Sequence, residues 1–356
     1  MELSLQEASL SGKVIRGGVW VFILNISTRL LSLIRLVIVA RIISPYDFGL
    51  IGIAFLTMST LETFSATGFH AALIQKKDNI KSYLDAAWTI LVMRGVILFT
   101  VLFLIAPVVA SFFKTPEAAL IIRVIGLSIL FHAFTNIGVV YFNKELEFKK
   151  LFLYQFSGTI ADFVATILAL VLLRNVWALV FGLLVGSFVR GMVSHFIHPY
   201  SPRLNWDKDK VKELFGFGKW VLGSSILVFF IMQGDDIFVG KILGVTALGL
   251  YQMAYKISNL PATEITRVVS QIVFPVYSKM QDNIARFRES YLRVLQLTAF
   301  LSMPLAGILF ILAPDLTKVV LGEKWLPMVG AMRLLAVWGG MRAIGATSGT
   351  VFMGLG

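Results

Sequence analysis

Charged side chains inside long apolar segments are the residues of this sequence best placed to do chemistry. A charge near the centre of a bilayer costs roughly 3 kcal/mol or more, so a charge kept there is expected to face a cavity or a partner. Within these apolar segments, cationic side chains outnumber acidic ones. The cations are Arg29, Arg35, Arg94, Arg123, Arg190, Lys256, Arg267, Arg333 and Arg342, and the acids are Glu62, Asp162, Asp235, Asp236 and Glu264.

The surplus of guanidinium groups indicates a binding site for an anion. Arginine binds phosphate oxygens through a planar, bidentate fork that lysine lacks, which suits a lumen that receives an anion with phosphate groups. The alternative is structural ion pairing or snorkelling to an interface, which we favour for Arg123, Arg190, Arg293 and Lys241. The candidate substrate-binding residues are Arg29, Arg35, Arg94, Arg267, Arg333 and Arg342, with Arg29, Arg94 and Arg333 favoured by their middle depth.

Three aspartates are candidates for coupling to an ion. Asp235 and Asp236 are adjacent, and paired carboxylates repel, so the pKa of one tends to rise. They could hold H+ or Na+, or they could pair with an arginine. Asp162 stands alone in a long apolar segment, where coupling and a buried ion pair are both open interpretations.

Other site chemistries have no basis in this sequence. There is no cysteine, and the four histidines lack the H-E-x-x-H spacing of a metal site. There is also no Walker loop, no G-x-S-x-G motif and no glycine-rich dinucleotide fingerprint. We therefore expect no metal, no cofactor and no enzymatic activity.

The elements that carry these charges are apolar runs long enough to cross a membrane. Hydrophobic residues make up 57% of the chain and charged residues 15%, which is too apolar for a soluble domain. A membrane-spanning helix needs roughly 20 apolar residues, whereas barrel strands need about ten alternating ones. We predict an all-α, polytopic membrane bundle of about ten helices. They cover approximately residues 14–40, 46–67, 83–113, 118–142, 151–173, 176–197, 215–239, 247–276, 291–313 and 325–352.

Lysine and arginine alternate between the two sets of connections. One set carries 15 of these residues and the other carries six. Positive residues are retained on the cytoplasmic side, so the N-terminus is expected in the cytoplasm of a bacterial inner-membrane protein. The same rule explains the net charge of +12 better than nucleic-acid binding, which would need a basic soluble face.

An internal repeat is visible at an offset of 200 positions. Gly18, Trp20 and Gly49 fall on Gly218, Trp220 and Gly249, within eight identities over 33 positions. We expect two pseudo-symmetric, parallel lobes, as in some transporters. The predicted parts are a six-helix lobe at 1–198, a cytoplasmic linker at 199–212 and a four-helix part of a second lobe at 213–356. A second lobe of six helices would extend further, so we expect a C-terminal truncation, with a natural ten-helix protein as the alternative.

Two segments carry a resemblance to a known family. The segment RLVIVARIISPYDFGLIGIAFLTMSTLETFSATGFHAALIQKKD (Arg35–Asp78) resembles the Wzx-type polysaccharide flippases, in the PST family of the MOP exporter superfamily. The segment GDDIFVGKILGVTALGLYQMAYKISNLPATEI (Gly234–Ile265) is similar to the start of the second lobe in that family.

The resemblance implies a MOP/MATE-like fold with a central cavity and alternating access. It also implies flipping of undecaprenyl-diphosphate-linked oligosaccharide for surface polysaccharide or lipopolysaccharide synthesis. Membrane lipid, H+ or Na+, and polysaccharide assembly proteins are the other expected partners. Two alternatives stay open. A cation-coupled drug exporter would have an acidic, aromatic lumen, and a membrane saccharide polymerase would usually have a large catalytic loop or domain.

Overall fold

The computed structural model describes residues 2–65, 81–205, 208–278, 280 and 283–355. Within these ranges the chain is helical and contains no β-strand. Eleven α-helices are numbered here in chain order. They are α1 (Glu2–Ile42), α2 (Pro45–Phe64), α3 (Lys81–Phe112), α4 (Ala118–Ala133), α5 (Val140–Lys144), α6 (Phe148–Leu173), α7 (Trp177–Ile197), α8 (Lys208–Ile242), α9 (Val245–Ser278), α10 (Ile284–Leu316) and α11 (Val329–Leu355).

Most of these helices are long and apolar enough to cross a bilayer. Among the described residues, six helices meet this criterion by length and composition, or seven if α4 and the following short helices form one broken span. Helices α8, α9 and α11, which are 35, 34 and 27 residues long, are not among these six. The all-helical class is thus confirmed, whereas the number of ten spans stays a prediction.

The helix ends preserve the offset of the sequence repeat. Helix α1 ends at Ile42 and α8 ends at Ile242, while α2 begins at Pro45 and α9 begins at Val245. The two junctions use different local chemistry. Ser44 caps α2 by accepting a hydrogen bond from the Asp47 amide, whereas Gly244 adopts a φ of +89° before α9. Each repeat therefore has the same pair of helix boundaries.

The chain breaks after helix α4, within the region where the sequence predicted one continuous span over 118–142. The chain bends by 69° between Ala118–Ala133 and Ile137–Lys144. Buried Asn136 makes three hydrogen bonds at the break. Its backbone N–H donates to Ser194 Oγ at 2.9 Å, and its side-chain Nδ2 donates to the Tyr200 carbonyl at 2.6 Å. Its side-chain Oδ1 accepts a hydrogen bond from the Gly138 backbone N–H at 2.8 Å. A single polar residue thus satisfies backbone groups that a bend would leave unpaired.

The segment after α7 is fastened to helix α3. The Tyr200 hydroxyl donates to Asp85 Oδ1, and the Arg203 amide donates to the same oxygen at 3.0 Å. The Asn205 amide donates to Thr89 Oγ1 at 2.9 Å. Burial, followed by the hydrogen bond to Asp85, raises the pKa of Tyr200. The first part of the predicted linker is therefore held in place by α3 rather than lying free of it.

His198 is packed in the same region as a neutral ring. It stacks on Tyr141 with ring centroids 5.5 Å apart, and its Nδ1 accepts a hydrogen bond from the Tyr200 amide at 3.1 Å. Burial lowers the pKa of His198, and nearby Lys150 lowers it further, against the opposite effect of Glu147 and Glu145. The uncharged imidazole is the form that this packing stabilises.

The chain forms two compact units, residues 1–246 and 247–356. Helix α8 belongs to the first unit, although the sequence repeat assigns it to the start of the second lobe. Contacts between residues define the compact units, whereas the sequence repeat defines the lobes. The predicted lobe boundaries at 198 and 213 therefore stay a prediction.

Candidate functional site

Arg35 and Asp162 form an ion pair between helices α1 and α6. Arg35 Nη1 donates to Asp162 Oδ2, and the two side chains are 28% and 22% exposed. Asp162 Oδ1 also accepts a hydrogen bond from the Thr166 hydroxyl at 3.2 Å, one helical turn later. This contact brings together a predicted substrate-binding cation and a predicted coupling acid. Each charge thereby has the partner that its depth in an apolar helix requires.

Glycines on α7 let that helix approach the Asp162 region of α6 very closely. A Cβ atom at Gly182 would lie 1.8 Å from Thr166 Oγ1, and one at Gly186 would lie 2.6 Å from Asp162 Cβ. Both separations are below 3.0 Å, a distance that a Cβ atom essentially never shows to a non-bonded atom. Small residues that allow close backbone approach are typical of helix pairs in membranes. Gly182 and Gly186 therefore allow α7 to pack directly against Asp162 and Thr166, where a larger residue would collide with them.

Arg94 of α3 binds the last turn of helix α2. Its Nε donates to the Ser65 carbonyl at 2.8 Å, and its Nη2 donates to the Glu62 carbonyl at 3.0 Å and to Ser65 Oγ at 2.9 Å. The last carbonyls of a helix lack partners within it, and a cation there is favoured by the helix dipole. This contact accounts for the arginine at this depth, and substrate binding by Arg94 stays a prediction.

Arg333 and Arg123 make the same type of contact in the two units. Arg333 of α11 donates to the Phe310 carbonyl of α10 at 3.1 Å, and its guanidinium lies 5.4 Å from the Phe310 ring centroid. Arg123 of α4 donates to the Phe103 carbonyl of α3 at 3.2 Å and lies 4.6 Å from that ring. The sequence assigned these two arginines different roles, whereas their surroundings are alike.

Arg342 lies in a polar cluster of the second unit. Its Nη1 donates to the Tyr255 hydroxyl at 2.6 Å, and Asn259 Nδ2 donates to the Tyr255 carbonyl at 3.2 Å. The Ser258 hydroxyl donates to the Met332 carbonyl at 2.9 Å. The hydrogen bonds of Arg342 and Ser258 thereby join helices α9 and α11.

The remaining candidate residues are Arg29, Asp235, Asp236 and Arg267. Arg29 is half-buried on α1 and has an interaction partner. Asp235 and Asp236 are half-buried on α8, and both have partners; the Asp236 amide also donates to Asp235 Oδ1 at 3.0 Å. The side chain of Arg267 lies outside the described part of the structure. In the part of the chain that is described, no three His, Cys, Asp or Glu residues are grouped to hold a metal ion.

Residues 38–330 match a family described as polysaccharide biosynthesis proteins. The chain belongs to this family. Its relatives include the lipopolysaccharide biosynthesis protein WzxC of Escherichia coli K12, at 25% identity over 97% of this chain and 70% of the relative. They also include the teichuronic acid biosynthesis protein TuaB of Bacillus subtilis 168, at 25% identity over 98% of this chain and 72% of the relative.

Solved structures show which fold this is. The chain is similar to the lipid II flippase MurJ in an inward closed conformation, with a TM-score of 0.73 at 15% identity over 96% of this chain and 76% of that one. An inward-facing MATE multidrug transporter of the MOP superfamily matches with a TM-score of 0.65 at 16% identity, over 92% of this chain and 81% of that one. The predicted resemblance is confirmed, and the chain is a multi-pass membrane protein of polysaccharide biosynthesis.

Proposed function

We propose that this protein flips an oligosaccharide linked to undecaprenyl diphosphate across the bacterial inner membrane by alternating access. The family match over residues 38–330 is the observation that carries this proposal. The names of the relatives agree with it, since they include a succinoglycan biosynthesis transport protein, ExoT of Rhizobium meliloti 1021, at 25% identity. The role is that of a transporter rather than an enzyme, and the product feeds surface polysaccharide synthesis.

The chemistry of the described arginines supports an anionic cargo. A guanidinium has five N–H donors, so an arginine that uses one donor to hold its position can offer others to phosphate oxygens. Arg35 and Arg342 are each held through Nη1, by Asp162 and Tyr255 respectively. Arginine that is fixed in this way pays less conformational entropy when it binds a diphosphate. These two residues are the best-supported members of the predicted cationic lumen.

Ten spans with the N-terminus in the cytoplasm fit this function best. Helices α8, α9 and α11 are 35, 34 and 27 residues long and so exceed the roughly 20 residues needed to cross a bilayer. The lobes at 1–198 and 213–356 follow from the 200-residue repeat. The candidates for coupling to H+ or Na+ stay Asp162, Asp235 and Asp236, although Asp162 also neutralises Arg35.

The test is complementation of a bacterial host that lacks its own polysaccharide flippase. The parent and the Arg35→Gln and Arg342→Gln variants are expressed at matched levels, and surface glycan is the readout. Arg123→Gln is the matched control, because Arg123 contacts the Phe103 carbonyl and ring. We expect rescue by the parent and the control, and at least tenfold less glycan with either variant. Failure of the parent across several donor glycan pathways would instead favour a drug exporter.

A further inference from the structure

A cleft lined by four polar and three apolar residues lies between helices α2 and α8 in the first unit. Its volume is about 350 Å³, within the roughly 300–1,000 Å³ of small-molecule sites. Its polar lining comes from Ser59 and Thr63 of α2 and from Ser225 and Gln233 of α8. Ser59 and Thr63 are one helical turn apart and therefore share a face. Among the described residues, no arginine lines the cleft, although Thr63 lies between Glu62 and Ser65, the two residues that Arg94 contacts.

The polar groups of this cleft have capacity for a ligand. Ser59 Oγ donates to the Leu56 carbonyl at 3.0 Å, which leaves the oxygen lone pairs available as acceptors. Within the described part of the chain, the side chains of Thr63 and Gln233 are not hydrogen-bonded to another residue. Gln233 can supply two donors and one acceptor, and Thr63 can supply both kinds. The site thus offers several donors and acceptors without any formal charge.

The apolar part of the lining is equally informative. Val228, Phe229 and Met232 complete the cleft, and Phe229 is buried at 5% exposure. Phe229 packs edge-on against Phe64 of α2, with ring centroids 5.8 Å apart. This packing joins the two helices beside the cleft. The aromatic ring of Phe229 and the thioether of Met232 can contact the C–H face of a ligand's ring, while the polar groups of the cleft bind the substituents of that ring.

We infer that this cleft binds an uncharged sugar ring of the transported glycan. The inference rests on the proposed function, and it assigns the sugar and the diphosphate to different residues. A diphosphate would require cations, and none of the seven residues that line the cleft is charged. A lipid tail would require an apolar lining, which the two hydroxyl-bearing residues of α2 interrupt. Hydroxyl and amide groups beside an apolar patch match a neutral sugar instead.

The test compares two probes that differ only in the sugar. The purified protein in lipid nanodiscs is titrated with undecaprenyl diphosphate and with undecaprenyl-diphospho-N-acetylglucosamine. The variant is Thr63→Val with Gln233→Met, which keeps side-chain volume and removes the hydrogen bonds. Thr63→Ser is the matched control, because it retains the hydroxyl. Thermal melting identifies a misfolded variant, and Gln233→Met alone then replaces the double variant in the same comparison.

We expect the parent and Thr63→Ser to bind the glycosylated probe roughly tenfold more tightly than the bare diphosphate, since two net hydrogen bonds contribute about that factor. In the double variant this ratio should fall to near one, with unchanged affinity for the bare diphosphate. A parent ratio near one, or an unchanged ratio in the double variant, overturns the inference and leaves the proposed function standing. A parent that binds neither probe overturns both.

Discussion

Replacing Asp162 by asparagine should destabilise the protein by leaving Arg35 without its counter-charge. The free-energy contribution of this ion pair should lie between that of an exposed pair and that of a buried pair, because its side chains are 28% and 22% exposed. Exposed ion pairs contribute about 0–1 kcal/mol, whereas removing one partner of a buried pair costs about 3–5 kcal/mol. We therefore expect Asp162→Asn to lower the free energy of unfolding by about 2 kcal/mol, or roughly thirtyfold in the unfolding equilibrium.

The neutral double variant, Arg35→Gln with Asp162→Asn, separates charge pairing from simple loss of packing. Asparagine can still accept the hydrogen bond from the Thr166 hydroxyl, which lies 3.2 Å from Asp162 Oδ1. With no unpaired charge left, the double variant should cost about 1 kcal/mol or less, which is below the sum of the two single variants.

Equilibrium unfolding in mixed micelles of mild detergent and sodium dodecyl sulfate, followed by tryptophan fluorescence, measures all four proteins of this cycle. Additive effects of the two substitutions would refute the pairing argument. The same variants also test ion coupling. If Asp162 acts only as the partner of Arg35, the single variant Asp162→Asn should keep the parent's dependence of transport on ion gradients. Loss of that dependence would indicate that Asp162 takes part in coupling transport to the ion gradient.

Three further predictions concern packing, helix ends and pH. Gly182→Ala should lower the melting temperature by several degrees, because its Cβ would overlap Thr166, whereas Gly234→Ala meets no atom within 4 Å and should melt like the parent. Arg94→Leu should lower the free energy of unfolding by about 2 kcal/mol by uncapping α2, and an unchanged value in the same unfolding assay would contradict that role. The pKa of His198 is lowered by burial, so its contribution to stability is present above pH of about 6.5 and is lost as the pH falls. His198→Phe should therefore flatten the acid side of a melting-temperature profile, and an unaltered slope would exclude His198 as its source.

Hydrophobic patterning was sufficient to locate most of the helices. The segment predicted at 151–173 corresponds to Phe148–Leu173, and the segment at 176–197 corresponds to Trp177–Ile197. A run of apolar residues is a local property, so it can be recognised without the fold. The break after Ala133 was missed, because it depends on Asn136 meeting Ser194 and Tyr200, which are distant in sequence.

The candidate charges were recognisable from sequence, but their partners were not. Arg35 and Asp162 are separated by 127 positions, and only the packing of α1 on α6 brings them together. Residue type also does not distinguish Arg94, which caps a helix, from Arg342, which binds a tyrosine hydroxyl. The cleft residues Thr63 and Gln233 gave no sequence signal, because single polar residues in apolar helices usually satisfy local backbone groups.

The central claim is that this protein moves a lipid-linked glycan between leaflets. The most direct measurement is flipping in proteoliposomes of a fluorescently labelled undecaprenyl-diphosphate oligosaccharide, with an impermeant quencher reporting the leaflet that holds the probe. We expect the parent to accelerate exposure of the probe at least tenfold over protein-free liposomes, and Arg35→Gln and Arg342→Gln to abolish most of this acceleration. Flipping by the parent at the protein-free rate, with the protein folded and correctly inserted, would show that it does not move lipid-linked glycans.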